Sequence, residues 1–218
     1  MPRYLVLDTE TTGLVDPGVA EIGWSEIEED LNVVSEFSSI VNPMKPMEPG
    51  ASAVNAITDE MLVDAPKIHE LPWIDGEVVL ICHNTKFDRP LVEPYMNIVD
   101  EICTMRLARR LLPNAESHKL SVLNAYCELP PSLGHRANLD VRMVIGILDY
   151  MIEGLALSGH NMTLLEIVEW LKVPRRFKTM PYGKFRGTPI DKVSWSYLRW
   201  LKAQSGHDPD MELTLSHI

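Results

Sequence analysis

The chain has 218 residues, 45% of them apolar, with three cysteines and a net charge of −11. That length and apolar content suit one large domain, or a medium domain with a small module, and exclude a chain too polar to bury a core. Three cysteines without CxxC spacing exclude a disulfide framework and a zinc knuckle, leaving Cys82, Cys103 and Cys127 as buried free thiols of a reducing compartment, and the negative charge taken alone disfavours a nucleic-acid partner.

Charge is unevenly spread. Residues 1–100 carry 5 Lys and Arg against 19 Asp and Glu, whereas Lys172 to Arg186 holds six basic residues and no acidic one. The longest apolar runs, Val78 to Cys82 and Met143 to Leu148, are too short to cross a bilayer, and no basic leader precedes an apolar stretch. A soluble, cytoplasmic protein without a membrane partner is expected.

In chain order, Tyr4 to Asp8 is predicted as a strand. Strands at Val19 to Ile27 and Leu31 to Val41 follow, joined by the acidic turn EEDLN as an antiparallel pair. NPMKPMEPG, residues 42–50, is predicted as an ordered loop, because its prolines suit neither a helix nor a central strand. Thr58 to Val63 is predicted as a short helix capped by Thr58. Val78 to Cys82 reads as a strand buried on both faces, with a helix from about Thr85. A short strand at Ile102 to Thr104 leads into a helical MRLARRLL, and Leu120 to Tyr126 is a further helix. Val141, Val144, Ile145, Leu148, Met151, Ile152 and Leu155 fall at helical spacing and form one apolar stripe. Ser158-Gly159 marks the expected boundary. Beyond it come a helix at about Met162 to Lys172, the turn-rich MPYGKFRGTP, an aromatic-rich helix near Trp195 to Lys202 and a short helix after Asp208-Pro209. Strands followed by alternating strands and helices predict an α/β fold, a mixed sheet with covering helices.

LVLDTETTGL, residues 5–14, ends its apolar run in two carboxylates. Residues i and i+2 of a strand share a face, so Asp8 and Glu10 project together on the side of Tyr4 and Val6. Like charges so placed repel unless a partner offsets them, and a hard divalent cation is suited to do so. A strand end running into water would also accommodate them. HNTKFDRPL, residues 83–91, follows the buried strand and puts Asp88 in the first turn of a helix, near the same sheet edge; stabilisation of the helix N-terminus explains that aspartate equally well. GHRANLDV, residues 134–141, sets Asp140 at the flank of the apolar stripe, turned partly toward the sheet, with His135 near the helix start after Gly134.

DTETTG, HNTKFDRPL and HRANLD, in that order, resemble the three motifs of the DEDDh, DnaQ-like 3′→5′ exonucleases, whose fold is ribonuclease H-like. The histidine five residues before the last aspartate matches the DEDDh subgroup; a tyrosine in place of Arg136 would mark the other. AEIGW, the stretch before the short helix and CTMRLARRL also fit, so that the resemblance covers residues 4 to 152. MPYGKFRGTPIDKVSWSYLRWL is similar to a small module appended to exodeoxyribonuclease X-type enzymes. One departure is VNAIT, residues 54–58, where relatives more often have His-Gly before Ile-Thr.

The resemblance implies a ribonuclease H-like, mixed five-stranded sheet flanked by helices over residues 1–157, and a linker helix with a small C-terminal α+β module over 158–218. It further implies that Asp8, Glu10, Asp88 and Asp140 bind two Mg²⁺ or Mn²⁺ ions and that His135 is the general base, an imidazole with an unperturbed pKa of about 6.5 being suited to that task near neutrality. The reaction is expected to release nucleoside 5′-monophosphates from single-stranded or duplex DNA 3′ ends. Substrate contacts are expected from Thr9, Thr11, Thr12 and Leu14, with Asn84 and Phe87 bounding the pocket for the terminal base. Arg175, Arg176, Lys178, Lys184 and Arg186, interleaved with Phe177, Tyr182 and Phe185, suit contacts to DNA farther from the cut, or a solvated basic loop over a small aromatic core. The motifs leave open an RNA-trimming, oligoribonuclease-type enzyme of the same superfamily and a non-catalytic nucleic-acid-binding adaptor, and they do not give the oligomeric state. A polymerase-held proofreading subunit fits less well, because no evident tether or clamp-binding segment is present.

Overall fold

The computed structural model describes residues 2–131 and 135–218; Gly134, which precedes the histidine of the third motif, lies outside the described residues. Five strands, β1 (Arg3–Thr11), β2 (Val19–Ile27), β3 (Val33–Ile40), β4 (Glu77–Cys82) and β5 (Asn97–Cys103), form one mixed sheet in the order β3-β2-β1-β4-β5. Strands β1, β2 and β3 pair antiparallel, whereas β1, β4 and β5 run parallel. The continuous apolar run of β4 follows from its central place, since Val78 to Cys82 is wholly buried. The topology reverses beside β1, and the carboxyl ends of β1 and β4 open the crevice where α/β sheets hold ligands.

The helices among the described residues are α1 (Pro49–Asn55), α2 (Asp59–Leu62), α3 (Thr85–Val92), α4 (Thr104–Leu111), α5 (Leu120–Tyr126), α6 (Ala137–Leu157), α7 (Leu164–Lys172), α8 (Trp195–Lys202) and α9 (Pro209–Ser216). Each face of the sheet has its own core. Tyr4, Val6, Val79, Ile81 and Ile102 lie under α4 to α7. The stripe of α6 supplies Val144, Ile147, Leu148 and Met151, each essentially buried, which at about 1.5–3 kcal/mol per side chain makes α6 the principal cover of that face. On the opposite face Leu5, Leu7, Ile22 and Leu80 pack with Val92 of α3 and with Leu71 and Trp73. There Phe37, Trp24, Trp73 and Tyr95 stack in a row, with ring centroids 4.1, 5.5 and 5.1 Å apart.

Several elements differ from the sequence expectation. Strand β1 runs on past Asp8 to Thr11, which puts Glu10 inside the sheet as well. The end of the proline-rich stretch is helical: Pro49 opens α1, where a missing N–H costs nothing. Thr58 precedes α2, but its side chain makes no capping bond. Strand β5 starts at Asn97, so polar residues such as Asn97 and Asp100 at this partly open strand hid its length. Helix α7, expected as a linker, buries Leu164, Ile167, Val168 and Leu171 in the core beneath α6; we therefore propose that the small module begins after Lys172.

That module has a core of Met180, Val193, Leu198, Leu201, Met211 and Leu215, built on α8, α9 and one bridge between Thr179 and Pro189. It is fastened to α4. Arg110 donates to both carboxylate oxygens of Asp210 at 2.7 Å, and Arg106 donates to Asp210 at 2.8 Å. Arg109 pairs with Asp208. Burial alone would raise Asp210, but the guanidiniums of Arg110 and Arg106 outweigh it and hold the carboxyl at about 2. The planar guanidiniums also stack: Arg110 and Arg175 lie over Trp170 at 4.7 and 4.5 Å, and Arg109 lies over Tyr182 at 4.6 Å.

Candidate active site

The site grows out of the β1–β2 pairing. Asp8 lies opposite Gly23 and Glu10 opposite Glu21, all on the face covered by α6. Gly23 lets α6 come close: a Cβ there would lie 2.8 Å from the Ala137 carbonyl carbon and the Asn138 nitrogen. The helix N-terminus is thereby pressed onto β2, which carries Asp140 over the two carboxylates of β1. Glu21 secures the same approach. It is buried, accepts from Arg136 Nη2 at 2.8 Å and from the Ala137 N–H at 3.3 Å, and so is neutralised outside the catalytic set.

Asp88, on α3, is buried and aimed back at β1. Its Oδ1 accepts from the Thr9 N–H at 3.2 Å and from the Thr9 hydroxyl at 2.7 Å. Asp140 Oδ2 accepts from the His135 N–H at 3.1 Å, while Asp140 Oδ1, also buried, has no partner among the described residues. His135 is exposed and sits in the left-handed region at φ 55°. Its ring, Glu10 and Asp140 each offer a ligand atom within 4.8 Å of the others.

Crowded carboxylates in a poorly solvated place resist ionisation. Burial, then Asp88, Asp140 and Glu10, push Asp8 well above its ordinary value. Burial and Asp140 lift Glu10 to about 7 against a hydrogen bond from Asn55. Burial lifts Asp88 to about 7 despite the two bonds from Thr9. Asp140 is raised by burial, with the His135 backbone opposing. Among the described residues the nearest cation, Arg136, is engaged by Glu21, the donors are oxygens besides one imidazole, and one carboxylate oxygen of Asp140 is unpartnered. Hard divalent cations such as Mg²⁺ or Mn²⁺ fit that donor set.

The five residues of the three motifs thus converge, from β1, α3 and the start of α6. The remaining expected contacts divide. Thr9 braces Asp88, the Thr11 hydroxyl donates to the Gly13 carbonyl at 2.9 Å, and Thr12 Oγ1 accepts from the Gly18 N–H at 3.0 Å, so these side chains fix the shape of the loop. Leu14 and Val15 stand at the tip of that loop, 83% and 82% exposed. Asn84, in the left-handed region at φ 83°, starts α3 on the rim, and Phe87 is half-buried behind it. Arg186 donates to the Ala115 carbonyl, Arg175 is stacked on Trp170, and Arg176, Lys178 and Lys184 are exposed.

Three supporting residues escaped the sequence reading. Glu21 stood in AEIGW, and only the register shows it facing Glu10. Asn55 stood in the departure VNAIT; it is buried, and besides Glu10 it bonds to the Thr11 carbonyl at 3.4 Å. His83 opens the second motif. Burial pushes its imidazole down to about 4, and the neutral ring links the His118 carbonyl at 2.8 Å to the Thr104 hydroxyl at 3.0 Å, tying the end of β4 to α4.

Residues 5–148 match the exonuclease family model RNase_T. The chain is 33% identical to exodeoxyribonuclease 10 of Escherichia coli K12 over 97% of its own length and 96% of the relative's. It is 30% identical to the PolC-type DNA polymerase III of Bacillus cereus over 72% of this chain but 12% of that one. Among solved structures, exonuclease X in complex with 5′-overhanging duplex DNA superposes with a TM-score of 0.62 at 29% identity, covering 76% of this chain and 98% of that chain. Exonuclease I shares the fold at 17% identity with a TM-score of 0.60, covering 79% of this chain and 43% of that chain. No helix among the described residues is long and apolar enough to cross a membrane.

Proposed function

The chain belongs to the RNase_T exonuclease family, and on that premise we propose that it is a metal-dependent 3′→5′ exodeoxyribonuclease releasing nucleoside 5′-monophosphates. The observation that carries this reading is the convergence of Asp8, Glu10, Asp88 and Asp140 from three separate stretches of chain, with ionisation suppressed and one oxygen of Asp140 without a partner among the described residues. These four would hold two Mg²⁺ or Mn²⁺ ions, with Asp8 at the centre of the set. When bound, the cations supply charge neutralisation for the phosphate and Lewis-acid activation of water.

The protein's own groups do the rest. His135, exposed beside Glu10 and Asp140, would take the proton of the attacking water, a role its nearness to both carboxylates supports. Its left-handed backbone is held by the bond from its N–H to Asp140. Thr9 fixes the orientation of Asp88 and Asn55 that of Glu10. Leu14, with Val15, offers an apolar surface to the terminal base, and Asn84 and Phe87 bound its pocket; such contacts tolerate any base. Arg176, Lys178, Lys184 and Arg186 supply phosphate contacts farther out, and Arg175 acts through its stack on Trp170. The test offers 3′-labelled single-stranded DNA, duplex DNA and RNA in parallel, with Mg²⁺ or with a chelator. Labelled mononucleotide is expected from DNA with Mg²⁺ only; no release from any DNA would overturn the assignment.

A further inference from the structure

The candidate active site opens into a groove of about 740 Å³ that runs from His135 and Asp140 past Lys119 to Tyr182, Gly183 and Arg186 of the module. At that far wall Gly183, with φ 77°, lies so close to Tyr197 that a Cβ would meet its hydroxyl at 2.6 Å. From there an aromatic ladder leaves the groove. Tyr197 meets Phe185 edge-on at 4.7 Å and Trp200 at 5.4 Å, and Lys184 stands over Phe185 at 5.6 Å. Phe185 and Tyr197 pack against the core of the module, but Trp200 is 55% exposed and lies outside that core.

The charge around the ladder is also distinctive. Residues 175–218 carry eight Lys and Arg against four Asp and Glu in a chain of net charge −11. Two of those four, Asp208 and Asp210, are turned inward onto the arginines of α4. The outward face of the module is therefore basic, with a large aromatic ring standing in water, and the ladder abuts, at Gly183 and Arg186, the groove that reaches Asp140.

Resting on the exonuclease reading above, we propose that Phe185, Tyr197 and Trp200, flanked by Lys184 and Arg186, form a stacking platform for single-stranded DNA whose 3′ end lies at the carboxylates. Every base has a π face, so stacking accepts any sequence, and neighbouring cations take the phosphates between bases. The preferred substrate is thus a 3′-terminated single-stranded stretch long enough to reach from His135 to α8.

The test uses the full chain with Ca²⁺ in place of Mg²⁺ and reads binding of a tetranucleotide and a dodecanucleotide of thymidine by fluorescence anisotropy. Wild-type protein is expected to bind the longer strand at least about ten-fold more tightly, and Trp200→Ala to lose about ten-fold on the longer strand. Trp195→Ala removes a tryptophan 59% exposed on the same helix that makes no aromatic contact among the described residues, and is expected to keep the length dependence. Equal ratios of long to short affinity in wild type and Trp200→Ala, or an equal loss in Trp195→Ala, would overturn the platform. Either result alongside Mg²⁺-dependent mononucleotide release leaves the exonuclease reading standing; absence of that release overturns both.

Discussion

Ala56 shows how a single residue bears on the site. It ends α1 in the left-handed region at φ 58°, a conformation that disfavours a β-carbon, immediately after Asn55, which bonds Glu10. Ala56→Gly is expected to raise stability by about 1 kcal/mol, measured by urea denaturation, because glycine adopts that conformation without the clash. His135→Ala is expected to cut turnover about 10²–10⁴-fold while leaving the rise in melting temperature on adding Mn²⁺ largely in place; near-normal turnover would reject the base assignment. Asp8, Glu10, Asp88, His135 and Asp140 were singled out because three motifs in order resemble those of the DEDDh exonucleases; spacing alone put Asp8 and Glu10 on one strand face and left Asp88 equally well explained as a charge at a helix N-terminus. Asn55 and Glu21 were not singled out, because their roles depend on register and on a neighbouring loop, neither of which local spacing specifies.

At the level of elements, the seating of α6 on β2 decides where Asp140 stands. Gly23→Ala would drive a methyl group into the first turn of α6 and shift Asp140, so kcat is expected to fall by about 10²-fold and the rise in melting temperature on adding Mn²⁺ to shrink with it. The arginines of α4 form a second critical seat. Asp210→Ala leaves Arg106 and Arg110 facing each other without their carboxylate, which is expected to cost about 3–5 kcal/mol in denaturant unfolding. Unchanged stability would show that the module is held by its apolar contacts instead. The bounds of β2, α5 and α8 could be read from sequence, and α6 was visible as the apolar stripe from Val141 to Leu155. Helix α1 could not, since Pro49 and Gly50 are the residues that usually break helices, and here they start one.

For the whole molecule, two opposed titrations shape the pH dependence. The carboxyls of Asp8, Glu10, Asp88 and Asp140 are all raised in the folded state by burial and crowding; the contribution of Glu10 and Asp88 to stability is full below about 4 and is lost as pH rises through about 7, and Asp8 and Asp140 act in the same direction. Asp210 is depressed to about 2, so its contribution is present above about 4 and is lost as pH falls toward 2. Metal-free protein is therefore expected to melt at progressively lower temperature between pH 5 and pH 8 in calorimetry, and Mn²⁺ to reverse that decline most strongly at the alkaline end. A melting temperature flat across that range would contradict the crowding of the four carboxyls. The α4–Asp210 clasp also sets a timetable for synthesis. Asp210 follows Arg110 by 100 residues, an interval of roughly 5–20 s at ordinary translation rates. Within it α5, α6 and α7 are made and can cover the sheet, while three guanidiniums wait uncovered and the far wall of the groove has yet to be made. A nascent chain thus acquires its nuclease core well before it acquires the surface that would hold a long strand.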